Sequence, residues 1–266
     1  MSYKSFITHT ISDSVGICRG LLQERKGHRI LMYHSIGGHT HNDHMGIFSV
    51  SKELFSTHIN ILSSHPTIKT EHLAPFPIDD NRLKVSITFD DGYLDNLRVA
   101  APILIEQDIP FTVFVTSNFV RNNMPGFLGP ADLRELAGLP GVEIGAHGVT
   151  HTALTQCDNL KLHSELHDGK KYLEDIIGQP ITSIAYPHGE ANSIVEDEVA
   201  ATGYKLAVCS QFDINRSGSN PLMLSRTTIL QDDTERVFRQ KLSGDWDWYR
   251  FRNMSHWYAN IMYKMK

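Results

Sequence analysis

Seven short runs of β-forming residues recur along this chain, and patterns typical of helices separate most of them. Strands that alternate with helices in this way predict a parallel sheet with right-handed crossovers. Because no Gly-rich phosphate-binding loop follows the first run, we predict a closed α/β barrel rather than a doubly wound sheet. The seven runs are residues 29–33, 83–89, 111–115, 142–146, 181–186, 205–209 and 223–229.

Five helical patterns accompany these runs, and their ends carry capping residues. Ser51 precedes apolar residues at helical spacing and predicts an N-cap. Gly178 predicts the end of the longest pattern, and Gly203 and Gly244 close the next two. The predicted helices are residues 51–62, 93–105, 159–177, 192–202 and 233–243.

The composition limits the classes of protein to which this chain can belong. With 266 residues, 41% hydrophobic and 21% charged, the chain can bury the core of one soluble barrel. Its formal net charge of −5 argues against a nucleic-acid partner, which would favour a basic face. Cys18, Cys157 and Cys209 are too few and too scattered for a disulfide framework. Because the first residues lack the apolar stretch of a secretory signal, we expect a cytoplasmic protein.

No repeat or linker divides the chain into two large domains. We expect an N-terminal extension (1–28), one barrel (29–244) and a C-terminal tail (245–266). The tail mixes aromatic and basic residues, which predicts a weak contact with the surface of the inner membrane. The alternative is a helix that covers the bottom of the barrel. The tail residues concerned are Trp248, Tyr249, Arg250, Phe251, Arg252, Met254, Trp257, Tyr258, Ile261, Met262, Tyr263, Lys264 and Lys266.

Polar and titratable residues follow the predicted strands at the points where the strands end. In α/β barrels the catalytic groups lie at the C-terminal ends of the strands, so these residues should surround one site. They are His34, Asp90, Asp91, Thr116, His147, His188 and Arg226.

The TFDDG sequence at residues 88–92 places two adjacent acids at the end of a strand. Neighbouring carboxylates repel each other unless a positive group lies beside them. A divalent cation would relieve this repulsion by binding one carboxylate and leaving the other free as a base. The alternative is an ordinary Asp-Asp-Gly turn.

The HGVTH sequence at residues 147–151 directly follows another predicted strand. If it takes a helical turn, His147 and His151 face the same way and both imidazoles can reach one ion. One carboxylate and two imidazoles leave room for water and substrate, as in a catalytic metal site. Such a histidine pair alone is a weak signal, but together with TFDDG it predicts a metal centre.

Both sequences resemble the first two motifs of the polysaccharide deacetylases, carbohydrate esterase family 4, which are built on the NodB homology domain. The AYPHG sequence at 185–189 is similar to the family's third motif, Arg-x-Pro-Tyr-Gly. The LMYH sequence at 31–34 resembles the first strand of a bacterial subgroup that acts on poly-N-acetylglucosamine and surface glycans. The resemblance extends over roughly residues 29–230.

This resemblance implies a distorted (β/α)7 barrel of the NodB type that hydrolyses an acetamide with a divalent ion. Zinc is the expected ion, with cobalt or nickel as alternatives. By position, Asp91, His147 and His151 would bind the metal. Asp90 would be the general base that takes a proton from the attacking water. The backbone N–H of His188 would complete an oxyanion site.

The resemblance also assigns residues that contact the substrate or assist the base. His34, Tyr186 and Pro187 would bind substrate. The family's arginine in the third motif is Ala185 here, so we expect Arg226 to supply the charge beside the base.

The family's late Leu-x-His, whose histidine protonates the leaving amine, is Leu224-Ser225-Arg226 in this chain. A guanidinium cannot release a proton at working pH. The general acid must therefore lie elsewhere, and His34 and His188 are the candidates. The family's aromatic fourth motif is not recognisable.

We therefore expect an enzyme that removes an acetyl group from an N-acetylated sugar. One alternative is a hydrolase of small or cyclic amides on the same fold. The other is a catalytically weak carbohydrate-binding relative, which the missing arginine and histidine would favour. A nucleotide-linked, lipid-linked or small saccharide is expected as substrate rather than a finished wall polymer.

Overall fold

The computed structural model of the protein describes residues 3–19, 26–38, 46–74 and 82–251. Its strands are β1 (Gly27–Tyr33), β2 (Ser35–Ile36), β3 (Ser49–Val50), β4 (Ile68–Thr70), β5 (Leu83–Phe89), β6 (Phe111–Val115), β7 (Val142–Ala146), β8 (Ser183–Ala185), β9 (Leu206–Val208) and β10 (Arg226–Thr228). Its α-helices are α1 (Tyr3–Arg19), α2 (Lys52–Ser64), α3 (Ala101–Glu106), α4 (Ser117–Arg121), α5 (Pro130–Ala137), α6 (Asn159–Ile177), α7 (Ser193–Ala201) and α8 (Glu235–Ser243).

Seven parallel strands form the barrel, in the order β10-β1-β5-β6-β7-β8-β9. Val208 of β9 forms a parallel bridge with Leu224, just before β10, so the ring is nearly closed. The predicted barrel of seven strand–helix units is confirmed. The prediction missed β4, which pairs with the first residues of β5. This strand has only three residues and no fully buried side chain, so its sequence lacks the apolar run that marks the others.

The barrel strands are buried on both faces, because helices cover the outside and side chains fill the inside. Every residue of β6, Phe-Thr-Val-Phe-Val, is buried. Most residues of β5 and β7 are also buried, and β5, β6 and β7 begin and end at the predicted residues. The other barrel strands differ from their predicted runs at one or both ends.

The predicted caps set most of the helix boundaries. Ser51 Oγ accepts a hydrogen bond from the N–H of Leu54 and begins α2. Gly178 ends α6 in the left-handed region, at φ 69°. The pattern predicted at 93–105 is different: a π-helical turn spans Asn96–Ala100 and α3 follows it. Pro102 has no N–H to continue an α-helical ladder from the preceding turn. The sequence analysis also missed α4 and α5.

The two ends of the described chain pack together on α8. The indole Nε1 of Trp248 donates to Ser12 Oγ in α1 over 3.1 Å. Arg29 of β1 is fully buried and forms a two-pronged ion pair with Asp247, at 2.9 and 3.2 Å. Asp247 therefore ties this end of the described chain to β1, and Trp248 ties it to α1. Residues 252–266 lie outside the described part of the chain, and membrane contact stays a prediction for them. No described helix has the length and apolar character needed to cross a bilayer.

Candidate metal centre and active site

Residues from three barrel strands meet at one end of the barrel. Asp90 and Asp91 directly follow β5, and His147 directly follows β7. Arg226 differs from its predicted place at the end of the seventh strand, since it is the first residue of β10. It lies level with Ile30 of β1, and its long side chain spans the distance to Asp90.

The loop of residues 147–151 is not the helical turn that the sequence analysis proposed. It has no helical hydrogen bonding, and Gly148 and His151 both adopt left-handed backbone, at φ 73° and φ 60°. A left-handed conformation is uncommon for a residue with a side chain. This backbone nevertheless brings the two imidazoles together, with 4.9 Å between the ring centroids of His147 and His151.

Asp91, His147 and His151 form a cluster whose ligand atoms all lie within 4.8 Å of one another. The Oδ1 atom of Asp91 lies 3.4 Å from His147 Nε2 and 3.2 Å from His151 Nε2. Nδ1 of His147 donates to the carbonyl of Ala185 over 2.8 Å, because a carbonyl oxygen can only accept. When the ring is neutral, this hydrogen bond leaves the lone pair of Nε2 facing Asp91.

The cluster fits a divalent cation. Asp91 Oδ1 is buried and accepts no hydrogen bond from the described residues. A buried carboxylate oxygen that faces an imidazole lone pair is unfavourable unless a positive group lies between them. Two imidazoles and one carboxylate are the donor set of a catalytic metal site with open positions.

Asp90 and Arg226 form a buried ion pair beside this cluster. The guanidinium donates to both carboxylate oxygens, over 2.6 and 2.7 Å, and a further bond from Nε to the Cys209 carbonyl fixes its orientation. Burial raises the pKa of Asp90, but the nearby guanidinium of Arg226 outweighs this effect and holds the pKa below its usual range. Asp90 is therefore an ionised carboxylate held in one orientation.

His34 and His188 both lie near the cluster. His34 follows β1, its ring lies 4.6 Å from that of Phe48, and its buried Nδ1 has no partner among the described residues. Burial lowers the pKa of His34. His188 is exposed, its ring lies 4.7 Å from that of His151, and its Nε2 donates to the His151 carbonyl over 3.1 Å.

Comparison with known proteins bears directly on this arrangement. The family model for polysaccharide deacetylases matches residues 78–207, a stretch that carries Asp90, Asp91, His147 and His151. This match identifies residues 78–207 as a polysaccharide deacetylase domain.

Individual relatives support the same assignment. YxkH of Bacillus subtilis, assigned to the polysaccharide deacetylases, is 28% identical over 68% of this chain and 64% of its own length. The peptidoglycan-N-acetylglucosamine deacetylase of Bacillus cereus is 27% identical over 54% of this chain and 64% of its own length. The chain thus spans less than two thirds of the length of these curated relatives.

A solved structure shares the fold. The Streptococcus pyogenes deacetylase PplD, in complex with acetate, matches with a TM-score of 0.72 at 24% identity. The match covers 82% of this chain and 99% of that one. The prediction of a deacetylase-type (β/α)7 barrel is therefore confirmed.

The third family motif holds two buried residues that were predicted to bind substrate. Tyr186 is fully buried and its hydroxyl donates to the Leu222 carbonyl over 2.7 Å, and contact with substrate stays a prediction for it. Pro187 is also buried, and a Cβ added to Gly148 would lie 3.5 Å from its ring. It lies in the turn that carries His188, and contact with substrate stays a prediction for it.

The sequence did not predict two further residues near the cluster. Asn96 Nδ2 donates to the backbone carbonyl of His34 over 2.7 Å, and so ties the end of β1 to the segment after the paired acids. Glu165 of α6 contacts the loop between the two histidines. A signal for Glu165 was present, because it is an acid on the apolar face of a helix that also carries Leu162 and Leu166.

Proposed function

We propose that this protein is a metal-dependent N-deacetylase that hydrolyses the acetamide of an N-acetylated saccharide. The observation that carries the proposal is the buried Oδ1 of Asp91, which faces two imidazole nitrogens and accepts no hydrogen bond from the described residues. The deacetylase domain supports the same reaction, and the Bacillus cereus relative is named for N-acetylglucosamine.

Asp91, His147 and His151 would hold one divalent ion. Imidazole and carboxylate ligands suit zinc, with cobalt or nickel as alternatives. When bound, such an ion supplies Lewis acidity for the acetyl carbonyl and lowers the pKa of water.

The protein's own groups would supply the proton transfers. Asp90 would accept a proton from the attacking water, and Arg226 would keep Asp90 ionised and oriented. The backbone N–H of His188, on the turn after β8, would donate to the oxyanion that develops on the carbonyl.

The leaving nitrogen needs a proton, and we assign this step to His34. The buried Nδ1 of His34 has no partner among the described residues, whereas Nε2 of His188 is already bonded to the His151 carbonyl. Burial lowers the pKa of His34 and so disfavours its protonated form, while the nearby carboxylates of Asp91 and Asp90 act in the opposite direction.

His34→Phe should lower kcat on an N-acetylated saccharide by about 10²–10⁴-fold, as expected for loss of a general acid. The metal should be retained, since His34 is not a ligand. An aryl acetate, whose leaving group needs no proton, should be cleaved almost normally.

His188→Phe is the matched control, with the same substitution at another histidine beside the cluster. It should leave the ratio of saccharide to aryl acetate turnover close to that of the unaltered protein. Parallel loss of both activities in His34→Phe would contradict the assignment.

We also propose a cytoplasmic location and a small, nucleotide-linked or lipid-linked N-acetyl sugar as substrate. Acetate release should be measured on free, nucleotide-linked, lipid-linked and polymeric N-acetyl sugars. Cleavage of the polymer alone would contradict it.

A further inference from the structure

A carboxylate lies in the middle of the buried face of α6. Glu165 is fully buried, and its neighbours on that face include Leu162, Leu166 and Leu173. An ionised group in such a place is unfavourable unless hydrogen bonds satisfy it. Glu165 therefore needs a specific set of partners.

Those partners belong to the loop that joins the two histidines of the cluster. Glu165 Oε2 accepts from the backbone N–H of Val149 over 2.6 Å and from that of Thr150 over 2.9 Å. Oε1 accepts from the Thr150 hydroxyl over 2.5 Å and from Lys161 Nζ over 2.7 Å. Burial raises the pKa of Glu165, but the hydrogen bonds from Lys161 and Thr150 hold it below its ordinary value. The group is therefore a carboxylate.

The helix α6 and this loop pack closely against each other. A Cβ added to Gly169, one turn after Glu165, would lie 3.2 Å from the carbonyl carbon and oxygen of Gly148. A Cβ on Gly148 would lie 3.0 Å from Glu165 Oε2. The helix backbone thus approaches the loop so closely that a side chain at either glycine would crowd it.

The opposite side of the loop is held from α4. The N–H of Ser117 donates to the Gly148 carbonyl and that of Asn118 donates to the Val149 carbonyl, over 3.1 and 3.0 Å. The loop carbonyls therefore bond to one element and the loop N–H groups to another. Glu165 is the acceptor for two consecutive N–H groups, which would otherwise lose their partner.

We propose that Glu165 is a positioning residue for the metal centre, which fixes residues 148–150 and thereby sets how tightly His147 and His151 bind the ion. The proposal rests on the proposed function, since it concerns the same centre. Glu165 contacts the backbone between the two histidines and acts through them. Residues that orient metal ligands typically change metal affinity by roughly 10- to 100-fold when replaced.

The test compares zinc affinity in the full chain, measured by competition with a chelator, for three variants. Glu165→Met keeps the size of the side chain and removes both acceptors, and we expect it to weaken zinc binding by roughly 10- to 100-fold. Glu165→Gln keeps one acceptor oxygen, so its zinc affinity should lie between those of Glu165→Met and the unaltered protein. Leu173→Ala truncates a fully buried residue of the same helix face away from the loop, so it should lower Tm without changing zinc affinity.

A second measurement is independent of the ion. In the metal-free protein, hydrogen exchange at the amides of Val149 and Thr150 should accelerate in Glu165→Met and less in Glu165→Gln. Affinities are compared at a temperature at which circular dichroism shows every variant folded.

Each outcome decides the proposal. Zinc binding in Glu165→Met as tight as in the unaltered protein would overturn it while leaving the proposed function intact. An equal loss of affinity in Leu173→Ala would also overturn it, because the effect would then be general destabilisation. Failure of the unaltered protein to bind zinc, cobalt or nickel would overturn both this proposal and the proposed function.

Discussion

Asp91→Asn should lose the metal and the activity together, whereas Asp90→Asn should keep the metal and lose only turnover. The reason is the different surroundings of the two acids. Oδ1 of Asp91 faces the two imidazoles, while both oxygens of Asp90 bond to Arg226. Removing the base should lower kcat by about 10²–10⁴-fold. Losing the ion should lower kcat by a larger factor.

Elemental analysis of each dialysed variant, together with kcat on an N-acetylglucosamine oligomer, checks this prediction. Asp168→Asn is the matched control, because Asp168 is an exposed acid on α6. This substitution should change neither the metal content nor kcat. Loss of the metal from Asp90→Asn and its retention in Asp91→Asn would show that the two roles are reversed.

Arg226→Met should lower the free energy of unfolding by about 3–5 kcal/mol, because it leaves the Asp90 carboxylate buried without its partner. Both side chains are almost completely buried, at 0% and 4% exposure. Turnover should fall as well, since the base loses the group that keeps it ionised and oriented. Urea denaturation measures the stability change, and the slope of the transition reports whether unfolding stays two-state.

Two further variants distinguish this effect from general damage. Arg98→Met removes an arginine that also pairs with two acids, but on the exposed surface, and it should change stability little. Asp90→Asn combined with Arg226→Met should be less destabilised than the sum of the single changes, because the double variant has no unpaired buried charge. Strict additivity would contradict the account of a coupled pair.

The parts of the site that were predicted correctly involve residues that directly follow a predicted strand in the sequence. Asp90 and Asp91 follow a strand that alternates in side-chain character, and His147 follows a strand whose bounds were predicted correctly. Because the C-terminal ends of parallel strands meet in a barrel, the strand pattern alone predicts that these residues lie close together. The barrel itself follows from the same alternation of strands and helices.

The parts that were wrong or missed depend on contacts between distant segments. Arg226 is 136 residues from Asp90, and its exact place in β10 follows from how the barrel closes near Leu224. The position of Tyr186 in a motif gave no information on which way its side chain points. A left-handed backbone, as at His151, is uncommon for a residue with a side chain and is not predicted from local sequence. The loop before His151 bonds to Glu165, which lies 15 residues after Thr150.

The central claim is that Asp91, His147 and His151 hold a divalent ion on which deacetylation depends. The most direct measurement is elemental analysis of the purified protein, paired with acetate release from an N-acetylglucosamine oligomer before and after chelation. We expect about one divalent ion per chain, loss of activity when a chelator removes it, and recovery when zinc, cobalt or nickel is returned. A protein that carries no metal and keeps its full activity after chelation would contradict the account.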